Sequence, residues 1–381
     1  MHQNLLINSR VGKNNLDLIR FILATAVIFC HSFVIYYGNG VFNKTEPLLI
    51  LSQEQISIGS LAVDFFFIIS GFLIVRSFES SKTNGEYLQK RVIRIFPGFI
   101  IAFLFSVLIV GFVGQLRHVG FSGYFDYLQS LHKKRELIHL LTLQSPSNDY
   151  SYFKSQPLVG LNTSLWTIQF EFICYLLVPV IALLGFFKKK WLFLTAFLVS
   201  YTVLFLQLQG YILPYIKSYN VFIGNPYFFP RFLTYFFAGA CFYNYRSKII
   251  KSEWMAMLAF TLLISSFIWI KCVDQVLPIA GSYLLFYIAY HPNLQFSEFS
   301  KKGDYSYGLY LYAWPLQQLT MHFLQPYLNP FRLFFIATPA TLIFAYLSWH
   351  FIEKRFLSLK GKTTVPVIPE RPFSIIFGTA K

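Results

Sequence analysis

The strongest constraint in this sequence is a succession of about ten apolar segments, each about 18–23 residues long, the length that crosses a bilayer as a helix. They run approximately over residues 16–37, 57–79, 92–114, 165–187, 191–208, 227–245, 253–271, 273–291, 305–325 and 331–352. Across the 381 residues 55% are hydrophobic and only 13% are charged. A soluble globule of that size cannot hide so much apolar surface, and a disordered chain would not carry it. The expected fold is therefore an all-α integral membrane protein, a polytopic bundle of about ten transmembrane helices. The membrane domain is expected over 1–360. Residues 361–381, with Pro366, Pro369 and Pro372, read as an irregular cytoplasmic tail. The apolar piece 137–143 is too short to span and reads as re-entrant or interfacial.

The formal charge is +16, from 32 Lys and Arg against 16 Asp and Glu. On a soluble protein this excess would suggest nucleic acid. On a chain of this hydropathy it reads as basic cytoplasmic loops, with no nucleic-acid partner. Placing the N-terminus in the cytoplasm assigns 21 Lys and Arg to cytoplasmic pieces and nine to outside loops, as the positive-inside rule requires. Both termini are then expected in the cytoplasm. The first segment is longer than a signal sequence and lacks a small-residue cleavage site, so it reads as an uncleaved anchor. The four cysteines, Cys30, Cys174, Cys241 and Cys272, lie in or beside apolar stretches with no CxxC pair. They read as small buried hydrophobes, with no disulfide framework and no metal site.

Ionisable residues inside spans are costly and mark candidate sites. Arg20 and His31 are eleven residues apart in the first span. Helical geometry puts them roughly 20° from a common face and about 16 Å apart along the axis. They are either a snorkelling arginine with a structural histidine, or an anion site and a general base along one channel. Asp64 in the second span reads as a buried polar link in a packing seam with Ser70 and Gly71. Arg91 and Arg94 share a helix face at the cytoplasmic surface. They fit the topology rule alone, or a phosphate-holding fork. Glu171, about a third of the way into the fourth span from outside, needs a partner, and His31 is the expected one. His350 and Glu353 lie near the cytoplasmic end of the last span. A donor with phosphates at one end and a flexible thioester arm, such as coenzyme A, fits the Arg20-to-His31 spacing as one arrangement among others.

The order of these elements resembles the integral-membrane acyltransferase-3 family, of the bacterial O-antigen O-acetyltransferase type. The matching pieces are Arg20-x10-His31, VDFFFIISGFLI at 63–74, RVIRIFP at 91–97, SLWTIQFEFICYLLVP at 164–179, SYGLYL at 306–311 with Pro315, and the closing Glu353. They cover about residues 14–356. The resemblance implies ten core helices in a bacterial inner membrane and acetyl-CoA as acyl donor. It further implies a cell-envelope glycan hydroxyl, such as one of O-antigen or exopolysaccharide, as acceptor. It gives importance to Arg20, Arg91 and Arg94 as donor-binding residues and to His31 and Glu171 as catalytic ones. In that scheme His31 deprotonates the hydroxyl or carries the acyl group, and Glu171 orients His31. Two departures stand out. Tyr312-Ala313 replaces a family Trp-His pair, and Glu353-Lys354-Arg355-Phe356 replaces Glu-x-Pro-Phe, which weakens Glu353 as a site. Larger relatives carry an SGNH-type domain after the core, and this sequence stops short of one. The rival class is a transporter or flippase of lipid-linked sugars or acyl groups, which also needs buried charge. Nothing in the sequence sets an oligomeric state.

Overall fold

Apolar segments in lipid must satisfy their own backbone groups, and the chain does so as helix throughout. The computed structural model describes residues 14–147, 153, 156–211, 222–291, 293–294, 296 and 299–359. The expected tail at 361–381 lies outside them. No strand occurs among the described residues. In chain order the long helices are α1 Leu16–Tyr37, α2 Ile58–Glu79, α3 Asn84–Leu116, α4 Thr163–Leu183, α5 Trp191–Leu208, α6 Phe229–Asn244, α7 Glu253–Ile270, α8 Val273–Ala289, α9 Ser306–Leu324 and α10 Pro330–Leu357. Every apolar segment of the sequence is represented. Seven of these helices are long and apolar enough to cross a membrane, which makes this a multi-pass membrane protein. The further crossings expected at α6, α8 and α9 are not among these seven: α6 and α8 have 16 and 17 residues, and α9 is more polar. The piece expected to be re-entrant belongs to the nine-residue helix Lys133–Leu141, with Leu137 and Leu141 exposed.

Helix starts carry side-chain caps where the loops turn inward. Ser57 accepts from the Ser60 N–H, Thr83 from Glu86 and Asn329 from Arg332. Small residues then set how closely helices approach. A Cβ on Gly71 of α2 would land on the Phe236 carbonyl of α6, and one on Gly239 of α6 would land on the Ile68 carbonyl of α2. The two glycines thus let α2 and α6 cross backbone to backbone. Gly308 does the same for α9 against Ala345 of α10.

α9 is polar because it is enclosed. Gln317 donates to the Ile28 carbonyl at 2.8 Å and to Ser32 Oγ at 2.7 Å on α1. Gln318 donates to the Leu158 and Gly160 carbonyls, each at 3.0 Å. Both glutamines are fully buried. Lipid would leave these amides unpaired, so the polar sequence of α9 requires neighbours on its faces. With α1, α2, α3 and α4 it encloses the charged residues described next.

Candidate active site

Many charged residues of the bundle gather around two neighbouring cavities that share lining residues. The first, about 300 Å³, is lined by Arg20 of α1, Arg91 and Arg94 of α3, Glu171 and Tyr175 of α4, and Tyr307 of α9. Its wall reaches Leu357, so it lies toward the face where α1 begins and α10 ends. Arg91 and Arg94 are three residues apart, which points both guanidiniums the same way. Asp304, in the turn before α9, organises the arginines. Its Oδ2 lies 2.5 Å from Arg94 Nη2 and 3.0 Å from Arg20 Nη2. Its Oδ1 accepts from the Ser306 hydroxyl at 2.5 Å. Burial alone would raise the Asp304 carboxyl, but Arg20 and Arg94 outweigh it and hold the group well below the usual carboxylate range. Glu353, only 2% exposed, lies 3.6 Å from Arg94 Nη1.

Arg91 is held differently. Its Nη2 donates to Ser77 Oγ at 3.1 Å, and its guanidinium carbon lies 5.9 Å from the ring centroids of both Tyr87 and Tyr175. Its Nε has no hydrogen-bond partner among the described residues. Of the three cavity arginines, Arg91 is thus the one with no carboxylate partner among the described residues. Glu171 accepts from the Tyr175 hydroxyl.

The second cavity, about 260 Å³, is lined by His31 of α1, Asp64 of α2, Trp166 of α4, Arg231 of α6 and Trp314 of α9. Its wall includes Phe42 and Ser57, between α1 and α2, so it lies toward the opposite face. The His31 ring meets Trp314 edge to face, with centroids 4.9 Å apart. Its Nδ1 has no hydrogen-bond partner among the described residues. Trp314 is fixed by donating to the Gly160 carbonyl at 2.8 Å. Asp64 is fully buried and takes a bidentate pair from Arg231, with Nε to Oδ1 at 2.9 Å and Nη2 to Oδ2 at 2.6 Å. Asp274 Oδ1 lies 3.5 Å from the same Nη2. The expected polar link at Asp64 is therefore an ion pair with Arg231, 167 residues away.

Four of the five residues singled out from the sequence, Arg20, Arg91, Arg94 and Glu171, share one cavity, and His31 opens into the other. The expected partnership of Glu171 with His31 is corrected by this arrangement. Glu171 faces the arginines and Tyr175, while His31 packs on Trp314. Depth along a helix does not tell which neighbour a side chain meets, and α4 turns Glu171 toward the arginine cavity. Sequence reasoning missed Asp304 and Arg231 and set Glu353 aside. Asp304 sits outside any span, and its only local signal is the Asp-x-Ser pattern ahead of a helix. Among the described residues, no group of three or more His, Cys, Asp or Glu side chains is placed to hold a metal ion.

Arginines around a cavity at one end, and an imidazole in an aromatic cavity at the other, suit transfer of a group from an anionic donor to a second substrate. The fold defines a class, a multi-pass membrane protein with ionisable side chains gathered around cavities inside its helical bundle. The chain belongs to the acyltransferase-3 family, whose model, an acyltransferase domain, matches residues 13–350. It is accordingly an acyltransferase. It is 26% identical over 348 residues to an O-acetyl transferase of Shigella phage Sf6, covering 91% of this chain and 96% of that protein. It is 25% identical to nodulation protein 10 of Rhizobium leguminosarum bv. viciae, over 91% of this chain and 94% of that one. It is also 25% identical to the O-acetyltransferase OatA of Staphylococcus aureus, over 84% of this chain and 56% of that longer protein. No solved structure matches the chain.

Proposed function

We propose that this protein is a membrane O-acetyltransferase that moves an acetyl group from acetyl-CoA to a hydroxyl of a cell-envelope glycan. The observation that carries the reading is the abutment of the two cavities, with Arg20 and His31 on one helix opening into successive chambers. Acetyl-CoA is a polyanion with a long arm ending in a thioester. Arg91, which has no carboxylate partner among the described residues, meets its phosphates first, and N–H groups of Arg20 and Arg94 not used by Asp304 add to the grip. The arm extends along α1 toward His31.

The acceptor hydroxyl enters the second cavity beside His31. The imidazole takes the hydroxyl proton as the oxygen attacks the thioester carbonyl carbon. A C–O bond forms, the tetrahedral intermediate collapses, and the C–S bond breaks. The imidazolium returns the proton to the departing thiolate, giving the O-acetyl ester and free coenzyme A. Trp314 fixes the ring plane of His31. Asp64 and Arg231 hold the polar wall opposite without leaving an unpaired charge in the membrane. Glu171 acts on the donor side, where its carboxylate and Tyr175 border the path of the arm.

Support for the acetyl group comes from the names of two of the relatives, and support for the glycan from the resemblance of the motifs. The testing experiment offers labelled acetyl-CoA to the purified protein together with envelope glycan from the same cell. Label recovered as base-labile ester on glycan supports the reading. Movement of lipid-linked glycan across the bilayer without acyl transfer would identify a transporter instead.

A further inference from the structure

The two cavities share only two lining residues, Val63 of α2 and Tyr310 of α9. Val63 has no polar atoms on its side chain and no tether. Tyr310 is tied down at its tip. Its hydroxyl donates to the Ser164 carbonyl at 2.6 Å and lies 2.5 Å from Thr167 Oγ1. Both partners belong to the start of α4, a helix other than the one that carries Tyr310. That start is itself anchored. Ser164 Oγ donates to Asn162 Oδ1 at 2.8 Å, and Asn162 Nδ2 donates to the Leu311 carbonyl at 2.9 Å and to Ser106 Oγ at 3.1 Å. Phe66 backs the ring edge to face at 6.3 Å between centroids. The tethered residue that the two cavities share is therefore an aromatic side chain latched between α9 and α4. The latch consists of two hydrogen bonds that a rotation of the side chain would break.

We infer that Tyr310, closing against Val63, is the gate between the donor and acceptor cavities and sets the size of acyl group that reaches His31. The inference rests on the reading above, in which the donor occupies the arginine cavity and reacts at His31. A thioester arm coming from Arg91 has to pass between Val63 and the Tyr310 ring. With the latch closed, water and small ions stay out of the path that joins the two faces. With the ring swung aside, the opening is limited by Val63, Phe66 and the displaced phenol, which favours a two-carbon acyl group over a longer one. Tyr310 in this role positions and selects, and it takes no proton.

The test separates the gate from the chemistry. All four native cysteines are replaced by alanine, and Ser60→Cys is introduced as a reporter in the second cavity. A charged, membrane-impermeant thiol reagent is then applied to either face of sealed vesicles. With Tyr310 present, labelling is expected from the His31 face alone. With Tyr310→Ala it is expected from both faces. Tyr310→Phe keeps the ring and loses the latch, and is expected to label from both faces more slowly; it also serves if the alanine variant folds poorly. In Tyr310→Ala, which removes the ring, the preference for acetyl-CoA over butyryl-CoA is expected to fall about tenfold, the scale that a hydrophobic constriction attaches to extra methylenes. In Tyr310→Phe, which keeps the ring, it is expected to fall less. Labelling from both faces with Tyr310 intact, or one-sided labelling in both variants, overturns the gate. An unchanged acyl preference in a variant that labels from both faces overturns the selection. Neither labelling result depends on acetyl transfer, so failure of the acetyltransferase reading would be seen separately.

Discussion

The two charged clusters are built as opposites. On the terminal side one aspartate, Asp304, is shared by two arginines, Arg20 and Arg94. On the other side one arginine, Arg231, is shared by two aspartates, Asp64 and Asp274. A guanidinium has five N–H donors, so Arg20 and Arg94, even with Asp17 and Glu353 beside them, keep donors in reserve for an anion. A carboxylate with both oxygens engaged by a single guanidinium keeps little. The first cluster is suited to receive a charged ligand. The second is a closed ion pair that makes a polar wall tolerable inside the membrane. His31, free at Nδ1 among the described residues, stands beside the closed cluster and not beside the open one.

The comparison is broken most sharply at His31. His31→Ala is expected to lower acetyl transfer by about 10²–10⁴-fold, the usual contribution of a general base, while the protein still inserts in the membrane. Transfer assays on membrane fractions matched for protein content check both parts. Next comes the contrast between the two shared residues. Asp64→Ala leaves the partly buried Arg231 with only the more distant Asp274, and is expected to cost about 3 kcal/mol of stability, the low end for a broken buried pair. Asp304→Ala leaves Glu353 near Arg94 and Asp17 near Arg20, so its thermal midpoint in detergent is expected to fall less. Equal losses would erase the distinction between closed and open clusters.

Arg91 sharpens the same point on the donor side. Arg91→Ala is expected to raise the KM for acetyl-CoA about tenfold or more, as loss of one charged hydrogen bond to a ligand does. Its kcat should change little. A fall in kcat at constant KM would move Arg91 from binding to chemistry. The smallest effect concerns pH. Asp304 is held below its ordinary range, so its pairing contributes stability above its unfolded pKa of about 4. That contribution is lost only as pH falls through the lower folded value. Wild type and Asp304→Asn should therefore keep a constant difference in thermal midpoint between about pH 5 and pH 8. A difference that shrinks across that window would mean that Asp304 is not held ionised by Arg20 and Arg94.

Much of the fold was legible because span length and apolarity are local properties. All ten apolar segments became helices, and seven of them are long and apolar enough to span. α9 shows why. Its Gln317, Gln318 and three tyrosines lower its hydropathy, yet Gln317 donates to α1, Gln318 to the segment before α4, Tyr307 to α3 and Tyr310 to α4. A window of sequence cannot see those partners. The site was legible in its residue types and less so in its pairings. Arg20 and His31 could be placed relative to each other because one helix carries both. Glu171 could be placed only by depth, which left open whether it faces His31 or the arginines. Asp304 and Arg231 matter through contacts that bridge 210 and 167 residues, and no spacing rule reaches that far.

The most direct test of the two-cavity account is a single-turnover measurement. Purified protein in sealed proteoliposomes receives labelled acetyl-CoA at the face that carries Arg91 and glycan at the face that carries His31. The account predicts labelled ester on the glycan with wild type and formation about 10²–10⁴-fold slower with His31→Ala, while labelled acetyl-CoA still binds the variant. Ester formation by His31→Ala at the wild-type rate would contradict it, as would transfer only when donor and glycan are supplied on the same face.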